Sequence, residues 1–431
     1  MKKILFSTLA VIGLFFNGFS QGIQRDMQFW RSYDQRGINV FETGKEDSVA
    51  FEGMRVRIGG HFAQQWQNLK HSNTSTSVLN ANGVNLNQLM EIGAGTNLAT
   101  ANLNMDVALA DGIRMNLITY LSSRHHPEAW VKGGFIQVDK LGFLNVGATD
   151  WFDKYLTVRV GHMEINYGDA HFRRSDNGNA MYNPFVGNYI MDAFTTEVGG
   201  EVFFQNKGWL AMAAVTGGEI QGGITNPDNR KPNFIGKFGY DSYVTDDLRL
   251  RLTTSVYTTS GSQRNTLWGG DRAGSRYYLV MENTLATTAA NFTSGRFNPN
   301  QTNNITAWVV NPFVKYRGLE FFGNFERSTG SARGEMEDRT WNQIGTDLVY
   351  RFGSNEKFYM AGRYNKVEGK LFGSGLDVSI DRVQFGGGWF VTRNLLAKVE
   401  YVNQTYNGFA ANDIRNGGKF NGLMIEAVVG F

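Results

Sequence analysis

The last eleven residues, NGLMIEAVVGF, constrain this chain more than any other stretch. Leu423, Ile425, Ala427, Val429 and Phe431 are apolar and hold every odd position, with Met424, Glu426, Val428 and Gly430 between them. A period of two puts the two sets on opposite faces of an extended strand. One face suits an apolar medium and the other accepts a carboxylate. The pattern recurs upstream, where Leu395, Ala397, Val399 and Tyr401 alternate with Lys398 and Glu400, and Val383, Phe385, Trp389 and Val391 alternate with Gln384 and Thr392. A sheet of such strands in hydrocarbon leaves edge backbone groups unpaired unless it closes on itself. The expected fold is therefore all-β, a transmembrane antiparallel up-and-down β-barrel.

The opening MKKILFSTLAVIGLFFNGFSQG fits that destination. Lys2 and Lys3 precede a short apolar run, Ile4 to Phe16, and small residues follow near Ser20, which predicts a cleaved signal peptide over residues 1–20. The run is too short for a membrane-spanning helix. Residues 21–50 form a polar N-terminal segment, long enough to enter a lumen, and the barrel is expected over 51–431. With no cysteine, disulfides, thiolate metal sites and a lipid anchor on cysteine are excluded. A formal net charge of +3 is too small to indicate nucleic-acid binding. Glycine (52 residues) and aromatics (13%) are abundant, while the mean hydropathy of −0.32 carries no helical-membrane signal.

The alternation places sixteen strands, at about 52–68, 99–110, 112–123, 130–141, 156–166, 194–204, 208–218, 232–243, 248–259, 304–316, 318–328, 340–352, 357–371, 380–392, 394–404 and 419–431. Tight links (ADG after Leu109, NKG, VTDD, RG, GSNE and TRN) alternate with long polar ones, as short periplasmic turns alternate with outer loops in barrels. The alternation is poorest over 130–155. The stretch 260–303 has room for one more hairpin, which would make eighteen strands. Tyr155, Trp209, Tyr243, Tyr316, Phe352, Phe358 and Trp389 crowd the short-turn ends, as an aromatic girdle at the headgroup level would.

The polar faces carry Arg55, Arg57, Arg114, Arg159, Lys237, Arg249, Arg251, Lys315, Arg351, Arg363, Arg382 and Lys398. Against these stand Asp106, Glu197, Glu201, Asp241, Glu320, Glu326, Asp347, Glu400 and Glu426. Charges at membrane depth must face water or one another. A sixteen-stranded barrel is too wide for wall side chains to fill, so a water-filled channel is expected. The wall surplus of about three positive charges suggests a weak preference for anions.

The chain resembles bacterial outer-membrane porins in ending a strand on Phe431, the aromatic that the barrel-assembly machinery reads in that group. SYDQRGINVFET at Ser32–Thr43 has the look of Bacteroidota porins. FIQVDK and YLTVRVGHMEINYGD, within Gly133–Asp169, are loosely similar to the phosphate-selective porin family, although NYGDAHFRR stands where that family has Pro-Phe-Gly. The resemblance implies a passive channel for small polar or anionic solutes in the cell outer membrane, amid outer-membrane lipids, with a homotrimer as the common assembly. It also implies that the loop after strand five, Asn166–Ala193, folds inward. Asp169, His171, Arg173, Arg174 and Asp176 would then form a constriction, with Glu164 at its edge.

Other chemistries find less support. HHPE at His125–Glu128 offers adjacent histidines that point apart and has no third ligand at clear spacing, so no metal is expected. GGDRAGSRYY at Gly269–Tyr278 follows no strand-to-helix pattern. A lipase-like barrel enzyme would need an outward histidine, for which His162 is the candidate. A substrate-specific receptor or fatty-acid transporter would want an N-terminal plug. No cofactor and no catalytic residue are expected.

Overall fold

The computed structural model describes residues 26–45, 49–97, 99–122, 129–144, 149–218, 230–262, 264–270 and 276–431. The signal-peptide residues and His125–Glu128 lie outside these, as does part of Gly269–Tyr278. Sixteen long strands follow one another: β1 (Arg55–Ser72), β2 (Thr100–Ala110), β3 (Ile113–Ser122), β4 (Ala129–Val138), β5 (Leu156–Glu164), β6 (Thr196–Asn206), β7 (Trp209–Thr216) and β8 (Asn233–Thr245). The second half is β9 (Leu248–Thr259), β10 (Asn304–Tyr316), β11 (Leu319–Ser331), β12 (Arg339–Phe352), β13 (Phe358–Lys370), β14 (Asp377–Thr392), β15 (Leu395–Asn407) and β16 (Lys419–Gly430).

Each strand pairs antiparallel with the next, and the ring closes through β1. One end of β1 pairs with β2, from Arg55↔Ala108 to Ala63↔Thr100, and the other with β16, from His61↔Gly430 to Ser72↔Lys419. A two-residue strand, Gly95–Thr96, extends the β2 side against Trp66 and Gln67. The last residue takes part in closure, since Phe431 N donates to Gly60 O (3.0 Å) and Gly60 N to Phe431 O (2.9 Å).

The period of two sorts the side chains as expected. In β16, Leu423, Ile425 and Val429 face outward and are exposed, whereas Met424, Glu426 and Val428 are buried. In β1 the outward set is Val56, Ile58 and Phe62, and the inward set includes Arg57 and His61. An unbroken outward apolar band on a closed barrel is the surface that a hydrocarbon core requires. At the short-turn end, Tyr350, Phe352, Phe358 and Trp389 form a stacked row with centroids 5.8, 5.8 and 6.3 Å apart. Tyr155 departs from the expected girdle; it is half-buried and stacks on Phe204 at 5.8 Å.

The other departures fall where the alternation was weakest. Strand four stops at Val138, and the link to β5 contains a short helix, Asp150–Tyr155. Four aromatic or charged residues in a row, Trp151 to Lys154, have no strand period, so pairing cannot continue there. Among the described residues, 260–303 contributes no strand, and the count stays at sixteen. That stretch goes inside the barrel instead. Its Tyr277, Val280 and Phe297 join a buried cluster with Ile165, Tyr167, Val186 and Ile190 from the link between β5 and β6.

Candidate functional site: the barrel lumen

The lumen is not an open tube. Three segments enter it: residues 26–43 ahead of β1, residues 165–195 between β5 and β6, and the described part of the link between β9 and β10. A peptide segment inside a barrel must find partners for its backbone groups, or pay about 1–3 kcal/mol for each one left bare. The wall charges supply them. Lys398 Nζ donates to the carbonyls of Ala180 (2.9 Å) and Phe185 (3.0 Å). Glu400 Oε2 accepts from the amides of Val186 (2.7 Å) and Gly187 (3.2 Å). Arg363 Nη1 donates to Gly187 O at 2.9 Å, and Asn365 Oδ1 accepts from Ile190 N at 2.6 Å. The loop that leaves β5 thus reaches the far wall, β13 to β15, before it returns to β6.

Two glycines make that route passable. A Cβ at Gly178 would stand 2.6 Å from Ala101 Cα and 2.6 Å from His61 O, where the loop presses on β1 and β2. At Gly187 a Cβ would overlap the Tyr277 hydroxyl, which belongs to the β9–β10 link.

The charged residues of the loop are all engaged. Asp169 accepts from Arg251 (2.8 Å at each oxygen), Lys237 (2.7 Å) and Thr253 (2.8 Å). Burial pushes its carboxyl up, but Arg251 and Lys237 outweigh this and hold it far below the carboxylate range. His171 Nε2 lies 2.9 Å from Asn166 Oδ1; burial and the Lys237 ammonium keep its ring neutral. Arg173 meets Asn39 and stands 3.6 Å from Glu320, with its guanidinium over Phe322 at 5.1 Å. Arg174 grips Asp192 with two bonds and lies 3.6 Å from Asp176. Asp176 also accepts from Lys132 and Tyr120. Glu164 is 3.0 Å from Lys132.

The N-terminal segment docks against the same framework. Glu42 is 2.6 Å from Arg251 and 2.7 Å from Lys237. Burial alone would raise its carboxyl, but these two cations hold it at about 2. Tyr33 OH donates to Asp106 at 2.8 Å, and Arg31 Nη2 donates to Phe172 O at 3.0 Å.

The wall arginines are engaged as well. Arg57 is paired with Asp106 (2.8 Å), Arg114 with Asp139 (3.3 Å), Arg159 with Glu201 (2.7 Å) and Arg249 with Asp241 (2.6 Å). Arg351 binds Glu320 (2.7 Å) and Arg363 binds Asp347 (2.6 Å). Arg382 donates to Gln404 (2.6 Å) and to the carbonyls of Asn188 and Gly295. Arg55 sits at the rim, paired with Glu52. The entering segments add charges of both signs to the lumen, with Glu42, Asp169, Asp176 and Asp192 beside Arg31, Arg173, Arg174 and Arg296.

Between the N-terminal segment and the wall of β3 to β6 a cavity of about 250 Å³ remains. Of the residues expected to line a pore, Glu164, His171, Arg114 and Arg159 border it. Arg173, Arg174, Asp169 and Asp176 do not; they are buried where loop meets wall. Sequence reasoning missed Lys132, Trp30, Arg31 and Glu42, which also border the cavity. Lys132 lies beside the irregularity where β3 pairs with β4, between Ile118 and Thr119, so no strict period could assign its face. His162, the candidate for an outward catalytic histidine, is half-buried, with Nε2 3.1 Å from the threonine hydroxyl of Thr196. Among the described residues no metal-binding cluster occurs.

No protein-family profile matches the chain, and no characterised protein matches it by sequence. Solved structures do match. The chain is similar to the anion-selective porin from Comamonas acidovorans, with a TM-score of 0.53 at 10% identity over 88% of this chain and 100% of that one. It is similar to the trimer form of OmpT, an outer-membrane protein of Vibrio cholerae (TM-score 0.51, 10% identity, 88% and 100% covered). The outer-membrane channel DcaP of Acinetobacter baumannii matches at a TM-score of 0.50 and 10% identity, over 89% and 99%. These likenesses span nearly the whole barrel, and at such low identity they establish one thing, the fold: a closed sixteen-stranded antiparallel barrel shared with outer-membrane porins.

Proposed function

We propose that this protein is an outer-membrane porin, a passive diffusion channel for small hydrophilic solutes, narrowed by the loop between β5 and β6. The observation that carries the reading is the cavity beside β3 to β6, bordered by charged and aromatic side chains, in a barrel whose outer face is apolar. A channel of this build carries solutes along one wall rather than down the axis. Its border holds Arg31, Arg114, Lys132 and Arg159 against Glu42 and Glu164, which supports a weak preference for anions. The preference is weak because carboxylates stand behind most of these cations. A homotrimer is the assembly we expect, by analogy with the trimeric neighbour. Signal-peptide cleavage, outer-membrane lipids and the barrel-assembly machinery complete the picture.

Proteoliposome swelling tests the reading. Vesicles carrying the protein should swell in isotonic solutions of small neutral and anionic solutes, at rates that fall steeply with solute size. Rates equal to those of empty vesicles would refute it. A second reading rests on the docking of residues 26–43: the barrel is a substrate-specific channel held shut by its N-terminal segment. In that case only the variant lacking 26–43 would swell the vesicles.

A further inference from the structure

The seam between β4 and β5 is shorter than the strands that make it. β4 pairs with β3 as far as Ala129↔Leu121, and β5 pairs with β6 as far as Glu164↔Thr196. Between β4 and β5 the ladder starts at Val138↔Val158 and ends at Gly134↔His162. Beyond that pair Val131 and Lys132 run along one side and Met163 and Glu164 along the other, with no ladder pair joining them. The cause is local. In the ladder with β3, Gly133 pairs with Ile118 and Val131 with Thr119, so Lys132 is skipped. An extra residue bends a strand and disrupts its ladder. Here it turns Lys132 inward, 7% exposed, while Val131 stays outward at 64%. A Cβ at Gly133 would stand 2.4 Å from His162 O, so the strands still touch at the foot of the gap.

One side-chain contact spans the gap: Lys132 Nζ lies 3.0 Å from Glu164 Oε2. The gap lies at hydrocarbon height, because Leu121, Val131 and Val198 around it are apolar, outward and exposed. Unpaired backbone at that depth is tolerated only where it is buried in protein or lines a water-filled cavity. The cavity of about 250 Å³ meets that need, since Lys132, Gly133, Met163 and Glu164 all border it. By the period of two, His162 and Glu164 belong on the lipid face with Val160, which is 57% exposed. They nevertheless border the same cavity as the inward Arg114, Gln137 and Arg159. A cavity bordered by both faces of a wall passes through it.

We propose that the gap between β4 and β5 is a lateral portal, through which a molecule with one acyl chain passes between the outer leaflet and the lumen cavity. Lipid chains lie on one side of it. On the other, Trp30, Phe135 and Phe172 offer half-buried aromatic surface. The cavity volume takes part of one chain and excludes a two-chain lipid. The Lys132–Glu164 pair is the latch. The portal needs the barrel to sit in a membrane and does not depend on ion conduction, so it goes beyond the porin reading.

The chain has no cysteine, so the pair introduced by Val131→Cys and Glu164→Cys is unique, and a bismaleimide can bridge it across the gap. The full mature chain is reconstituted in phosphatidylcholine vesicles, with ω-bromodecanoate and iodide as probes. Trp30 emission, read as the difference between each chain and its Trp30→Phe counterpart, reports arrival in the cavity. ω-Bromodecanoate should quench Trp30 in the unbridged chain, and bridging should remove most of that quenching. Equal quenching before and after bridging overturns the proposal, as does an amphiphile that never quenches Trp30. Glu164→Gln leaves Lys132 its contact with Asp176 and should speed the onset of quenching severalfold. This variant still reports if the cysteine pair fails to assemble, and an unchanged onset overturns the latch. Iodide stays in water and should quench Trp30 in bridged and unbridged chains alike. Failure of iodide alone refutes the porin reading and leaves the portal standing.

Discussion

Arg174 and Asp192, eighteen residues apart, clasp the loop between β5 and β6 at its base, with Nε and Nη2 of the arginine 2.8 and 2.7 Å from the two carboxylate oxygens. The carboxylate is shared with Arg296 of the β9–β10 link at 3.1 Å, so one buried anion ties two entering segments together. Burial pushes Asp192 up, but the Arg174 guanidinium, helped by Arg296, holds it at about 2.

Removing that anion should loosen the filling of the lumen. Asp192→Ala leaves two guanidinium groups buried beside no carboxylate of that residue, and breaking a buried pair from one side costs about 3–5 kcal/mol. The barrel wall does not depend on this contact, so the variant should still assemble. Single-channel recordings should show larger and more frequent openings than in the wild type. An unchanged conductance histogram would mean that the loop position does not set the opening.

The N-terminal segment should behave as a removable part. A variant lacking 26–43 loses Glu42, Arg31 and Tyr33 from the lumen, and its conductance should rise. Acid should mimic part of that effect. Glu42 titrates at about 2 when docked and near the ordinary 4.5 when released. Because the docked value is depressed, its contribution to docking is complete above about pH 4.5 and is lost as the pH falls towards about 2. Conductance should therefore climb on acidification through that window, and the climb should shrink in Glu42→Gln. The same climb in Glu42→Gln as in the wild type would remove Glu42 from the account.

How much of this could be read from the sequence depends on distance along the chain. The strands were legible because a period of two is local; Leu423 to Phe431 carry their own evidence. The lumen charges were legible as a class for the same reason. Their partners were not. Lys398 caps the carbonyl of Ala180, and Glu400 the amide of Val186, across more than two hundred residues, and no alternation reports such a pairing. The sequence places Arg173 and Arg174 in the loop but does not name their carboxylates, because Glu320 and Asp192 lie on other parts of the chain. The inward course of the loop came from resemblance. The helix Asp150–Tyr155 left only a negative trace, the failure of the strand period.

Charge at the cavity border should control selectivity more than charge within the loop. Arg31 has no carboxylate among its hydrogen-bond partners, which are the carbonyls of Gly37 and Phe172. Fixed charges act strongly at short range where water is partly excluded. Arg31→Gln should weaken the anion preference, and Arg31→Glu should reverse it, read as the zero-current potential across a salt gradient. If both potentials match the wild type, ions do not pass this border.

Phe431 separates assembly from stability. Its side chain is 47% exposed on the lipid side at the barrel end, and its backbone pairs with Gly60. A charge near the interface costs a barrel only about 0–1 kcal/mol, too little to unfold it. Phe431→Asp should nonetheless lower the outer-membrane level severely, seen as loss of the heat-modifiable band on gels, because the terminal aromatic is what the assembly machinery would read. Wild-type levels of the variant would show that the residue serves only as the last ladder pair.

The central claim is that the barrel is a conducting channel whose width is set by the segments folded into it. Single-channel conductance in planar bilayers tests it most directly, with the mature chain and the variant lacking 26–43 measured side by side. The account expects stable current steps from the mature chain and larger steps from the variant. A mature chain and a variant that both insert but carry no current would contradict it.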